Sequence, residues 1–389
     1  MAVIINIDES IKRSGFNILQ EPITMILENE TEKYEQGSIL PKIYVMKKTD
    51  VYQEEYRSST AMGNFRPTED LEPANLTDFE DSFGKTFRTQ IWTNSFAISK
   101  QTIEDKQRLT LNGKAHNFVK TYGRTRELYG IAMLAGALSD NIVFSGKKFD
   151  TTGMDTTNGE IDGPKRTYFH NTHLSVIPDT APQSNKFRGS INLYEDGAHE
   201  KLKELVGKVA TEMQNYYDDK GNILTINPTR IVAPNHYLFK DVLMTTLGSG
   251  KTADMGGNAK NIQAGEWELI FTPYLNNHTG FTEADQAFVM IDPSANVERY
   301  GAVWFDRTPL EIESYYDKRT KANIWDGRAR YGAAFGDFRA MAYVSTKILG
   351  EGEDLNTVAA AQNATPITTS DRIKKVKVTN AEDFHEEEG

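Results

Sequence analysis

The segment Leu247–Thr252, Leu-Gly-Ser-Gly-Lys-Thr, ends like a phosphate-binding loop. That loop needs a glycine five residues before Gly250, and Thr245 stands there. It also needs a strand before it and a helix after, whereas this segment follows a helical stretch, so it reads as surface loop. His170-Asn-Thr-His173 places two imidazoles at metal-like spacing, with Asp155 and Asp162 near in sequence. The surroundings are loop-like and the His-Glu-x-x-His helix of a hydrolase is missing, which favours a structural role; a metal-dependent enzyme using His170 and His173 is the alternative. Asp218–Asn222 is too short for a calcium loop and reads as a helix-ending turn. There is no cysteine and no G-x-S-x-G elbow. No catalytic residue, metal site or cofactor is expected, and no enzyme activity.

Charge is the more informative chemistry. The formal net charge is −11 over 389 residues. Segment 67–84 holds Glu69, Asp70, Glu72, Asp78, Glu80 and Asp81 and no base, and 351–389 holds nine acids and four bases. These two pieces account for the whole excess, so the remaining chain is neutral. Within it, 100–127 runs basic through Lys100, Lys106, Arg108, Lys114, Lys120, Arg124 and Arg126. The overall balance excludes a dedicated DNA-reading domain. No run of about 18 apolar residues is present, so no membrane contact is expected, and the first 13 residues do not read as a secretory leader.

Positioning elements follow from periodicity. Residues 1–40 read as a polar arm with a short helix over 22–34. Ile43, Val45 and 51–56 read as strand, as does 86–98, with Phe87, Thr89 and Ile91 expected on one face. Two strands joined by the acidic excursion make an extended hairpin with little core of its own, expected to lie on something else, such as another subunit. Ser99 is expected to cap a helix. The strongest helix is 114–139, with apolar residues recurring from Phe118 to Leu138 at i, i+3, i+4 and i+7. Residues 141–195, rich in Gly, Asp and Thr, read as a long irregular loop. A second amphipathic helix covers 197–217, with Leu202, Leu205, Val206, Val209 and Met213 as its stripe. Strands at 229–232, 267–272, 287–291 and 310–314, a helix at 235–246 and a loop at 248–257 make a mixed α/β domain. Residues 322–348 read as strand, 350–365 as flexible linker and 373–379 as a short exposed strand.

Four stretches carry a family resemblance: Phe83–Gln107 (FGKTFRTQIWTNSFAISKQTIEDKQ), Tyr168–Ser175 (YFHNTHLS) with Ser184-Asn185, Ile226–Pro234 (INPTRIVAP) and Tyr331–Arg339 (YGAAFGDFR). In this order they resemble segments of the major capsid (head, coat) proteins of tailed bacteriophages. The resemblance spans about 20–348.

What it implies is a mixed α/β (α+β) capsid fold. The parts would be an N-terminal arm (1–42), an extended loop or E-loop (43–97), a peripheral domain with the spine helix (98–197 and 326–349), an axial domain (198–325) and a tail (350–389). The chain would be a structural virion protein made in the bacterial host cytoplasm. Its pentamers and hexamers would close an icosahedral head around double-stranded DNA. Implied partners are other copies, a separate scaffolding protein, a portal and decoration proteins, with non-specific contact to DNA. The acids Glu69, Asp70, Glu72, Asp78, Glu80 and Asp81 are candidates for inter-subunit contact. Lys114, Lys120, Arg124 and Arg126 are candidates for the DNA-proximal inner face. Lys85 stands where some relatives self-crosslink, but no Asn or Glu partner is identifiable and no crosslink is expected. A protein-cargo shell of the same fold, like an encapsulin, is the nearest alternative.

Overall fold

The structure is a computed structural model that describes residues 4–7, 17–59, 81–105, 108–156, 165–175, 181–193, 195, 197–250, 261, 263–350 and 352–369. Strand β1 (Ile4–Ile7) leads the described chain, followed by helices α1 (Asn17–Gly37) and α2 (Leu40–Ile43). Strands β2 (Val45–Lys48), β3 (Gln53–Ser59), β4 (Asp81–Arg88) and β5 (Gln90–Ser99) come next. Helix α3 (Lys100–Glu104), capped by the Ser99 hydroxyl, precedes α4 (Arg108–Gly136). Five short strands follow: β6 (Asn141–Phe144), β7 (Lys147–Asp150), β8 (Thr152–Thr156), β9 (Lys165–Thr167) and β10 (Lys186–Arg188). Then come α5 (Ala198–Gln214), β11 (Arg230–Pro234), α6 (Tyr237–Leu243), β12 (Glu268–Thr272) and β13 (Phe288–Ile291). The chain closes with α7 (Pro293–Arg299), β14 (Ala302–Asp317), β15 (Ala322–Phe335), β16 (Met341–Ser345), α8 (Leu355–Ala361) and β17 (Thr365–Pro366).

Two sheets organise this mixed α/β fold. The first runs β1-β14-β15-β5, with β2 also on β14. Its long hairpin β14–β15 alternates side chains with period 2, so Trp325, Gly327, Ala329 and Tyr331 all face inward and are buried. That face receives α4. Trp92 stacks on Tyr331 at 5.0 Å, Tyr331 on Trp304 at 5.2 Å, and Phe96 on Trp325 at 5.1 Å. The second sheet runs β12-β11-β13-β16-β10-β17 and is covered by α5, whose Leu202, Leu205, Val206, Val209 and Met213 are fully buried. The apolar stripe expected for that helix therefore faces the core. The sheets cross the sequence segments: β14 pairs with β15, while β10 and β16 join β11 and β13.

At 29 residues, α4 is about 43 Å long. It starts six residues before the expected 114 and ends three before 139. Asn112 and Gly113, poor helix formers, hide its first turns in the sequence. Two glycines set its contact with the N-terminal helices. A Cβ on Gly123 would lie 2.4 Å from the Tyr34 ring, and one on Gly130 would lie 2.3 Å from a Leu40 methyl. A side chain at either point would push the arm off the helix. The arm is therefore a 21-residue helix seated on α4, longer than the 22–34 expected. Glu127 holds its end, accepting from the Ser38 hydroxyl at 2.5 Å, the Ile39 N–H at 3.2 Å and the Tyr34 hydroxyl at 3.3 Å.

Other expectations need correction. Residues 141–195 are not one irregular loop. They supply β6 to β10, too short for periodicity to stand out. Residues 350–365 are not a bare linker, because Asp354 caps α8 by accepting from the Thr357 N–H at 3.1 Å. Phe87 and Thr89 are buried but Ile91 is 49% exposed, because the chain breaks strand at Thr89 and changes face. The 60–80 excursion and the 373–379 strand lie outside the described residues, as does 251–257 of the 248–257 loop. Among the described residues no helix is long and apolar enough to cross a membrane.

Candidate assembly surfaces

The extended hairpin is real at its base: β3 and β4 pair antiparallel from Gln53↔Arg88 to Ser59↔Asp81. Its base packs on the rest of its own chain. Phe83 and Phe87 are buried with Met154, Val303, Phe305 and Ala334, and the Phe87 and Phe305 rings are 5.4 Å apart. Burying these two rings stabilises the base by roughly 4 kcal/mol. Of the six acids, Asp81 opens β4; Glu69, Asp70, Glu72, Asp78 and Glu80 lie outside the described residues.

Lys85, on β4, is buried against β8. Its ammonium donates to the Thr152 carbonyl oxygen and hydroxyl and pairs with Asp150 at 3.2 Å. Burial pushes its pKa down, against the opposing pull of Asp150. Its bonds are to its own chain.

The four basic candidates on α4 part company. Lys114, Lys120 and Arg124 are exposed along one side of the helix. The Lys114 ammonium reaches the Ala97 carbonyl at 3.0 Å, and Lys120 helps hold the Glu30 carboxyl below its usual range, after Lys33 and His116. Arg126 is 5% exposed and must be withdrawn as a DNA-proximal residue. One of its terminal nitrogens donates to both Asp306 oxygens at 3.1 Å, and the other to the Tyr122 hydroxyl at 3.0 Å. Two helical steps, about 200° round the helix from exposed Arg124, carry it into the core.

The two histidines sit beside a buried polar centre. The Asn185 amide nitrogen donates to the carbonyls of Tyr168 (2.9 Å), Phe338 (3.2 Å) and Met341 (3.2 Å). Its oxygen accepts from the His170 N–H at 2.9 Å, which fixes the amide's orientation. The same oxygen faces His173 Nε2 at 2.9 Å, while His173 Nδ1 faces Asp155 at 2.8 Å. The imidazole lies flat on Phe338 at 3.8 Å. Both His173 nitrogens are thus engaged within the protein. The His170 ring is 6.1 Å away at 77°, and its Nδ1 accepts the Thr172 N–H at 3.0 Å. Among the described residues no group of three His, Cys, Asp or Glu side chains converges as metal ligands, and Asp162 lies outside them.

Burial, then the charge of His173, pushes the His170 pKa down to about 4. An unfolded histidine titrates near ~6.5, so between the two values the unfolded chain binds the extra proton. The stability this contributes is full above ~6.5 and lost as pH falls toward about 4. The melting temperature should therefore drop over that window, and a His170→Gln variant should drop less. Equal slopes would contradict this assignment.

Two features left little trace in the sequence. Asn185 was visible only as half of a Ser-Asn pair. Arg307, Arg328 and Arg330 gather on the outer face of the first sheet, signalled only by the alternation Arg-Ala-Arg at 328–330.

No family model and no curated protein matches the chain. Among solved structures it is similar in fold to the capsid of the cyanophage P-SCSP1u, with a TM-score of 0.45 and 10% identity over 79% of this chain and 87% of that one. It is similar to the capsid of an empty GTA particle, with a TM-score of 0.44 and 11% identity over 79% and 89%. A virus-like particle from Pyrococcus furiosus gives a TM-score of 0.42 and 8% identity over 83% and 98%.

Proposed function

We propose that the chain is the major capsid protein of a tailed phage: a structural subunit whose rings close an icosahedral head around double-stranded DNA. The observation that carries the reading is the β3–β4 hairpin. Its base is fixed by Phe83 and Phe87, and its strands lead the acidic 60–80 excursion out from that anchor. A segment so charged has no core to gain on its own chain, and ordering it is costly unless a neighbour receives it. Acidic and basic surfaces on one chain suit head-to-tail contacts, which close into rings. The four sequence stretches of capsid character agree with this architecture. The division into an arm (1–42), an extended loop (43–97), a peripheral part (98–197 and 326–349), an axial part (198–325) and a tail (350–389) is proposed with it. Scaffold, portal and decoration proteins would be its partners.

DNA contact in such a shell is non-specific, and a few exposed cations suffice. Lys114, Lys120 and Arg124 are the candidates. Neutralising two of them as Lys120→Gln with Arg124→Gln should lower nuclease-protected DNA per particle several-fold, with particle yield little changed. Unchanged DNA content would remove α4 from the inner face. Purified particles that hold protein and no DNA would favour a cargo shell.

A further inference from the structure

We propose that Arg307, Arg328 and Arg330 form a socket on the outer face of the first sheet for the acidic segment 67–81 of a second copy of this chain. The inference rests on the shell reading and names the surface that receives the segment.

Arg328 and Arg330 project from alternate positions of β15, on the face opposite buried Ala329. Register places Thr93 and Ile91 of β5 beside them, and Thr308 of β14 beside Arg330. Two register shifts between Asp306 and Glu311 bring Arg307 into the group. Burial, then the charges of Arg307 and Arg328, lower the Arg330 pKa. Like charges so close are unfavourable without a counter-charge. Yet none of the three makes an ion pair among the described residues. The Arg330 Nε is buried with no hydrogen-bond partner. Glu311 is opposite Arg328 by register and forms no ion pair with it. Ile91 and Tyr52, 49% and 50% exposed, lie close by and give the site an apolar rim.

Segment 67–81 fits chemically. It carries six acids, no base, and Leu71, Leu76 and Phe79 for the rim. The spine helix is a poorer receptor: of its four basic candidates Lys114 is bonded to Ala97, Lys120 lies in the field of Glu30 and Arg126 is buried, which leaves Arg124 against three arginines in the socket. The segment's own hairpin leads away from the socket. Arg88 abuts Gly332, whereas Phe83 sits with Ala334 and Met154. Seven steps along β4 place Asp81 about 23 Å from Arg88. A neighbour's socket is the natural receptor.

The test is a charge swap in trans with full-length chains. One variant carries Arg307→Glu, Arg328→Glu and Arg330→Glu. The other carries Glu69→Lys, Asp70→Lys, Glu72→Lys, Asp78→Lys and Glu80→Lys. Each alone should melt like the wild type but give about tenfold fewer particles, because like charges then meet at the contact. Mixing the two should restore particles that contain both chains. Normal assembly by either single variant would overturn the proposal. So would rescue only when one chain carries both sets, which would place the contact within a chain. Rescue of the arginine variant by Glu386→Lys, Glu387→Lys and Glu388→Lys would also overturn it, by naming the tail as occupant. If wild-type protein forms no particles, the shell reading fails separately. The socket is then read by a labelled peptide of residues 67–81, which should bind the unassembled chain about tenfold more tightly than the arginine variant. Equal binding would refute it.

Discussion

Asn185→Ala should destabilise the protein by about 4 kcal/mol, a large share of the ~5–15 kcal/mol that keeps a domain folded. Asn185 is fully buried; its amide nitrogen shares two hydrogens among three carbonyls within 3.2 Å, and its oxygen accepts from the His170 N–H and faces His173 Nε2. They tie Tyr168 and His170, before the second sheet's β10, to Phe338 and Met341 at the start of β16. Alanine leaves three carbonyls and an N–H without this partner in a site closed to water, and each group left unmade costs ~1–3 kcal/mol before relaxation. Asn185→Asp tests polarity apart from volume. It turns an acceptor toward three carbonyl oxygens and should be no less damaging. Chemical denaturation measures both, and a loss under ~1 kcal/mol for either would show that the centre is not structural.

The second large effect is at Arg126. Its guanidinium pairs with Asp306 at 3.1 Å and lies 5.1 Å from the Trp304 ring centre and 5.2 Å from that of Tyr331. Burial disfavours its charge, but Tyr122, Asp306 and Tyr34 outweigh that and hold its pKa above the ordinary value. Arg126→Met leaves the Asp306 carboxylate buried with only the Trp304 indole N–H, at 3.1 Å, and should cost about 3–5 kcal/mol. Adding Asp306→Asn removes the stranded charge and should recover much of that loss. A double-mutant cycle by denaturant melts measures the coupling. Strict additivity would mean that the pair does not act as a unit.

The long helices and strands β11, β12 and β13 of the second sheet were legible because their apolar patterns are strong. The α5 stripe, from Leu202 to Met213, is buried residue for residue as its spacing requires. The short strands in 141–195 were not legible. Three to five residues give too few alternations, and the partners of β10 are also distant in sequence: Lys186 pairs with Tyr343. The candidate site was half legible. Charge patterning found the acidic segment and the basic helix, but composition does not tell which cation turns inward. Arg126 and Arg124 are two residues apart, one buried and one exposed. The hairpin was expected to have little core of its own, yet Phe83 and Phe87 anchor its base on β14 and β15. The Arg307–Arg328–Arg330 group was hidden because it forms only when β14 and β15 pair in register.

The central claim is that this chain builds a closed shell from copies of itself. Electron microscopy of the purified full-length protein, alone and with a candidate scaffolding protein, tests it most directly. The expected result is closed particles of uniform size whose reconstruction shows five-fold and six-fold rings, with the β3–β4 hairpin of each subunit reaching a neighbour. A protein that stays monomeric under both conditions, folded by its melting curve and forming neither rings nor shells, would contradict the account.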